Sequence, residues 1–104
     1  MIITTTPSVE GKTIVRVIGL VRGNTIQSRH VGKDIRAGLQ GIIGGEITDY
    51  TEMMSGAREE AIERMAADAQ KQGANAIVAM RLATSMVMQN ASEVLAYGTA
   101  VVLE

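Results

Sequence analysis

Six side chains carry charge or donors of the kind that hold a ligand: Arg16, Arg29, His30, Asp34, Arg58 and Arg81. Arg16 and Arg81 interrupt apolar, strand-like runs. A charge among apolar neighbours is usually paired or placed at an edge. Two readings follow: a salt bridge within or between subunits, or an anion-binding pocket where subunits meet. Arg58 sits next to Ala57 on a helical pattern and is open to the same two readings. His30 is the single histidine. One imidazole cannot make a zinc site unaided. Symmetry copies, with Glu or Asp from a neighbour, could complete one; the plainer reading is a surface histidine. Tyr50, His30, Asp34 and Arg58 would support acid–base chemistry if they converged within hydrogen-bond reach.

Other constellations point less far. The chain has no cysteine, which excludes disulfides, thiolate metal sites and Cys nucleophiles. Gly38, Gly41, Gly44 and Gly45 precede a helical pattern, but no Gly-Lys-Ser/Thr follows them. The acids Glu46, Asp49 and Glu52 at that helix entrance repel an anion and suit the helix dipole. Glu59, Glu60, Glu63 and Asp68 read as a solvated helix face, or as donors for a hard cation. Seven methionines invite a soft-metal reading such as Cu(I). At their positions they also serve as core fillers in a chain poor in aromatics. No Ser–His–Asp arrangement, HExxH motif or paired-carboxylate signature is present.

The 104 residues read as one domain, 1–104. There is no Phe or Trp, and the only aromatics are Tyr50 and Tyr97. Such a chain buries many small apolar groups, some of them between subunits. Net charge is −1, with no basic excess to neutralise phosphates and few rings to stack bases, so nucleic acid is not an expected partner. Charge is uneven along the chain. Residues 1–36 carry six basic against two acidic groups, and residues 37–104 carry four against nine. That asymmetry describes either a dipolar surface or a basic face that meets a neighbour's acidic face in a ring. The N-terminus lacks the basic and apolar regions of a signal peptide, and no run is long enough to span a membrane. A cytoplasmic location and no membrane partner are expected.

The elements that must position these residues follow from periodicity. Ile2 to Thr5 is β-rich and ends near Pro7. Thr13 to Val21 is apolar on both faces, as in a covered strand, and Arg22-Gly23-Asn24 marks a turn or bulge. Gly32 to Ile43 has the spacing of a short helix. Tyr50 to Gln72 is a long helix with Asp49 and Glu52 as a capping box and Gly73 just past its end. Tyr50, Met54, Ala57, Ala61, Met65 and Ala69 form its apolar stripe, and Glu60 with Arg64 an i,i+4 pair. Ala76 to Met88 alternates, with Val78, Met80, Leu82, Met86 and Met88 on one face and Ala79, Arg81, Ala83 and Ser85 on the other. After a turn at Gln89-Asn90-Ala91, Leu95, Tyr97, Val101 and Leu103 share a face of the last strand. The order is strand-strand-helix-helix-strand-strand: an α+β, two-layer subunit with an antiparallel sheet.

Several segments carry a further resemblance: Val21-Arg22-Gly23-Asn24-Thr25, Gly32-Lys33-Asp34-Ile35, Ile43-Gly44-Gly45-Glu46, Tyr50-Thr51-Glu52-Met53, Ala57-Arg58-Glu59, Gly73-Ala74-Asn75-Ala76-Ile77 and Tyr97-Gly98-Thr99-Ala100-Val101. The whole chain resembles the YbjQ-like family, whose members are described as heavy-metal-binding and whose activity is uncharacterised. The resemblance implies a dodecin-like α+β subunit in a homo-oligomeric ring, expected to be a pentamer or a multiple of one. Without cysteine, any metal ion would take carboxylate, imidazole or thioether donors. The family segments also make architectural sense. Gly73 suits a left-handed helix stop, Asn75 bonds the turn that launches the next strand, and Gly98 leaves room for another backbone.

The functional expectation is a non-enzymatic, ring-forming protein that binds a metal ion or small anion at subunit junctions. Its rivals are an enzyme with an interfacial site using Tyr50, His30 or Asp34, and a scaffold for another protein.

Overall fold

A computed structural model describes residues 1–28 and 45–104, with residues 45–50 described by their helical backbone alone. The elements are β1 (Ile2–Ile3), β2 (Ile14–Ser28), α1 (Gly45–Lys71), β3 (Ala76–Met88) and β4 (Ala91–Leu103). The expected short helix at Gly32–Ile43 lies outside the described residues. Among those described, the order is strand, strand, helix, strand, strand. The α+β class holds, but the sheet is mixed. Its order is β1-β3-β4-β2, with β1 parallel to β3 and the other pairs antiparallel. The sheet is not all antiparallel because the chain crosses from β1 on one side to β2 on the far edge.

Helix α1 runs antiparallel to β2 and lies over β2 and β4. Its predicted stripe is the core: Met54, Ala57, Ala61, Met65 and Ala69 are buried, with Ala61, Met65 and Ala69 at 0% exposure. Facing them are Val21, Val94, Ala96 and Ala100. The small residues set how closely helix and sheet approach. A Cβ built on Gly23 would collide with the Ala61 carbonyl oxygen, the Met65 amide nitrogen and Arg64 Cβ. Gly23 is therefore an interior strand residue that admits the helix backbone, and the turn expected at Arg22-Gly23-Asn24 is overturned. Next to it the buried Thr25 hydroxyl donates to the Ala57 carbonyl at 3.3 Å, which satisfies a polar group the packing encloses.

The described helix already runs from Gly45, more than a turn before the start at Tyr50 that the sequence indicates. Asp49 and Glu52 are therefore helical, and the expected capping box is not at the N-terminus. The other end is as expected. Gly73 has φ +90°, the Ala74 amide donates to the Ala69 carbonyl and the Gly73 amide to the Gln70 carbonyl. These are the paired bonds of a Schellman stop.

The expected β3–β4 hairpin forms, with Asn90 at φ 64° in its turn. Two irregularities change its faces. Ala79, at φ 52°, makes a bulge between the pairs Val78↔Thr99 and Arg81↔Tyr97. The Ala79 and Met80 amides donate to the Thr6 and Thr4 carbonyls. Val78 consequently faces away from the helix while Met80 faces it, and the predicted common face is broken. Gly98 stands opposite, where a Cβ would lie 2.7 Å from Ile77 Cγ2 and 3.2 Å from Met80 Cα. The second shift separates Met86↔Ser92 from Met88↔Ala91, which sets the two methionines on opposite faces.

Asn75 differs from expectation as well. Its side chain donates to the Leu103 carbonyl at 2.9 Å and accepts from the Leu103 amide at 2.7 Å, so it caps the β4 ladder. A second cluster, Ala76, Val78, Val101 and Leu103, lies on the face away from the helix, with Val9 and Ile14 packed against it.

Two glycine substitutions separate these effects. Gly23→Ala forces the helix off the sheet and is expected to cost roughly 1–3 kcal/mol in denaturant unfolding, as overpacking does. Gly56→Ala sits on α1 with nothing within 4 Å of the new Cβ and is expected to stabilise by about 1 kcal/mol. Equal effects from the two would contradict the close approach at Gly23.

Candidate functional site

The helix covers one face of the sheet. On the other, residues 4–13 cover only the end near Val78, Val101 and Leu103. Among the described residues nothing covers the rest of that face. In register, Arg22 pairs with Tyr97 and Tyr97 with Arg81, so the three stand in one row across β2, β4 and β3. Neighbouring strands lie about 4.8 Å apart, which puts the two arginine backbones about 10 Å apart with the tyrosine between them. Arg22 and Arg81 are exposed and Tyr97 is half-buried. Arg22 has no hydrogen-bond or ion-pair partner among the described residues. Around the row stand Val17, Leu20 and Ile26, which are 62%, 66% and 56% exposed. On the same face Asn24 Nδ2 donates to Glu93 Oε2 at 3.2 Å.

Arg81 has a second role. Its Nη1 donates to the Thr5 carbonyl at 3.0 Å and to the Met80 carbonyl at 2.8 Å, so it ties the N-terminal segment to the bulge. Among the described residues of one chain Arg81 has no carboxylate partner and meets carbonyl dipoles instead. Beside it is an open cleft of about 590 Å³ lined by Ile2, Thr4, Thr6, Pro7, Ser8, Val9 and Glu10. Hydroxyl groups on this loop are turned inward: Thr4 and Thr6 share a 2.8 Å bond, and Thr6 donates to the Ser8 carbonyl.

The other expected site residues do not join this row. Arg16 pairs with Val102 on the helix side of the sheet. Its Nη2 lies 3.7 Å from a Cβ built on Gly73, beside the helix C-terminus, where a cation is favoured. Arg58 is half-buried on α1 and donates to Ser55 Oγ at 3.2 Å. Fifteen residues of helix, about 22 Å, separate it from Gly73. Arg29, His30 and Asp34 lie outside the described residues, as does the side chain of Tyr50, so the interfacial enzyme site has no described member. Arg22 and Tyr97 were missed as candidates because only the strand register brings them together.

A heavy-metal donor set is not assembled by the described residues. No three His, Cys, Asp or Glu side chains cluster among them, and the chain has no cysteine. Glu60 is taken by Arg64 at 2.6 Å, and Asp68 accepts from Gln72 at 3.1 Å. Met54, Met65 and Met80 are core, as expected, while Met86 and Met88 diverge. No described helix is long and apolar enough to cross a membrane.

Comparison with known proteins decides the relationship. A family model described as "Putative heavy-metal-binding" matches residues 1–104. The chain belongs to this YbjQ-like family. It is 60% identical over its whole length to a UPF0145 protein of Dehalococcoides mccartyi, all of which is covered. It is 59% identical, again over its whole length, to a UPF0145 protein of Clostridioides difficile, of which 93% is covered. A crystal structure of a protein with unknown function from the DUF74 family of Pediococcus pentosaceus shares the fold. Its TM-score is 0.64 at 18% identity, over 100% of this chain and 98% of that one.

Arg81→Ala removes the tie between β3 and the N-terminal segment. Hydrogen exchange at the Ala79 and Met80 amides is expected to rise about tenfold, the loss of roughly 1.4 kcal/mol of local protection. Unchanged exchange would contradict the tie.

Proposed function

We propose that this YbjQ-like protein is a non-enzymatic homo-oligomer, a ring of five dodecin-like subunits or a multiple of five, that binds a small anion where subunits meet. The observation that carries this reading is the Arg22–Tyr97–Arg81 row on an open, apolar sheet face. Two guanidiniums without an ion-pair partner among the described residues, and a phenol, offer charge and directed donors to a carboxylate, sulfate or phosphate. On an exposed face such contacts are worth little, because water screens them. A neighbouring subunit laid over Val17, Leu20 and Ile26 excludes that water and strengthens the same contacts several-fold. The site therefore gains most of its affinity from assembly. For a metal ion, the ligand class in the family description, the described residues of one subunit assemble no cluster of three His, Cys, Asp or Glu donors.

The test uses chelator-treated, full-length protein. Its assembled mass is measured by native mass spectrometry, and thermal shifts are recorded against phosphate, sulfate, small carboxylates and divalent metals. A multiple of the 11.0 kDa subunit and a shift with at least one anion are expected. The shift should fall at least tenfold in apparent affinity in Arg22→Ala, which removes a charged donor. A response to metals alone, or none at all, contradicts the anion reading.

A further inference from the structure

Arg81 reaches the row across β2, β4 and β3 only because β3 is irregular. Val78 pairs with Thr99 and Arg81 with Tyr97, so three steps along β3 match two along β4. Ala79 is the extra residue of a bulge. In an unbroken strand Arg81 would share a face with Ile77, which is buried in the core on the helix side. The bulge sends Met80 into that core instead and turns Arg81 onto the opposite face, beside Tyr97. Its backbone is strained. Ala79 has φ 52°, a left-handed conformation that a Cβ disfavours.

The N-terminal segment holds this strained backbone in place. The Ala79 amide donates to the Thr6 carbonyl at 2.8 Å and the Met80 amide to the Thr4 carbonyl at 3.0 Å. The Thr4 amide donates to the Ile77 carbonyl at 2.9 Å. Between them the Thr5 carbonyl accepts from Arg81 Nη1 at 3.0 Å, and the Met80 carbonyl accepts from the same nitrogen at 2.8 Å. Nη1 carries two hydrogens, and these two carbonyls match them. Nε and Nη2 have no partner among the described residues. They form a paired-donor edge that meets two oxygens of a carboxylate, sulfate or phosphate. The hold on the segment is slight. β1 is two residues long, and residues 5–8 are exposed with respect to the described residues.

We propose that the Thr4–Thr6 segment is a docking strap that assembles the anion site. Docked, it fixes the Ala79 bulge and aims Arg81. Undocked, it leaves Arg22 and Tyr97 without their third member. This rests on the anion reading above and adds how that site is switched. A guanidinium already held by carbonyls loses little freedom on taking an oxyanion, so the docked state binds more tightly. Docking and anion binding therefore favour each other by the same factor in both directions.

The experiment uses full-length protein with inorganic phosphate, sulfate and acetate as probes. Hydrogen exchange at the Ala79 and Met80 amides is expected to slow about tenfold once one of these anions saturates the site. Thr4→Pro removes the amide that donates to Ile77 and is expected to weaken the same anion about tenfold, with far-UV circular dichroism unchanged. Adding Ala79→Gly, which takes φ 52° without penalty, is expected to restore most of that affinity. A wild type that answers none of the three anions overturns the strap together with the anion reading. Anion binding that leaves exchange at Ala79 and Met80 unchanged overturns the strap alone, and so does wild-type affinity in Thr4→Pro. If Thr4→Pro fails to fold, exchange in the wild-type protein decides.

Discussion

The close approach of one helix to one sheet governs the rest of this molecule. With no Phe or Trp, the core cannot be built around large rings. It is built by bringing backbones together. Alanines 57, 61 and 69 on α1 face Val21, Ala96 and Ala100, and Gly23 admits the helix backbone itself. Small side chains bury little area each, so contact must run along a long helix. Twenty-seven residues, about 40 Å, supply it. Met54 and Met65 fill what the alanines leave.

That arrangement uses up one face of two strands and leaves the remainder uncovered. A single helix about 10 Å across lies over two neighbouring strands and cannot also cover a third. Among the described residues, the far half of β3 and the part of the other face beyond residues 4–13 therefore stay open, with apolar side chains standing on both. A row of basic residues crosses that face where the strand register lines them up. An exposed apolar surface of this kind marks an interaction site. The proposed neighbouring subunit is what covers it.

Much of this was legible in the sequence, and the parts that were not share a cause. The helix stripe and the Gly73 stop came from period and conformation, which are local properties. The β3–β4 hairpin came from alternation around a short turn. Gly23 looked like a turn because the helix that requires it lies about 40 residues further along the chain. Asp49 and Glu52 had capping-box spacing, but local propensity did not decide where the helix began. The bulge at Ala79 reassigned Val78 and Met80 to opposite faces, since bonds to Thr4 and Thr6 set it. Arg81 was legible as a charge among apolar residues. Arg22 and Tyr97 became its companions only through register, and Arg16 was drawn away to the helix terminus.

The account turns on whether the open hairpin is covered in solution, and methionine oxidation reads this directly. Brief hydroxyl-radical labelling of the native protein, with site-resolved mass spectrometry, compares Met86 and Met88 with the exposed Met1 and the buried Met65 in one sample. In a single chain Met86 and Met88 are 77% and 67% exposed, more than Met1 at 52%. Covered by a second copy, they should oxidise far more slowly than Met1, towards the rate of Met65. If they oxidise at least as fast as Met1 in protein at working concentration, the hairpin is bare and the central claim fails.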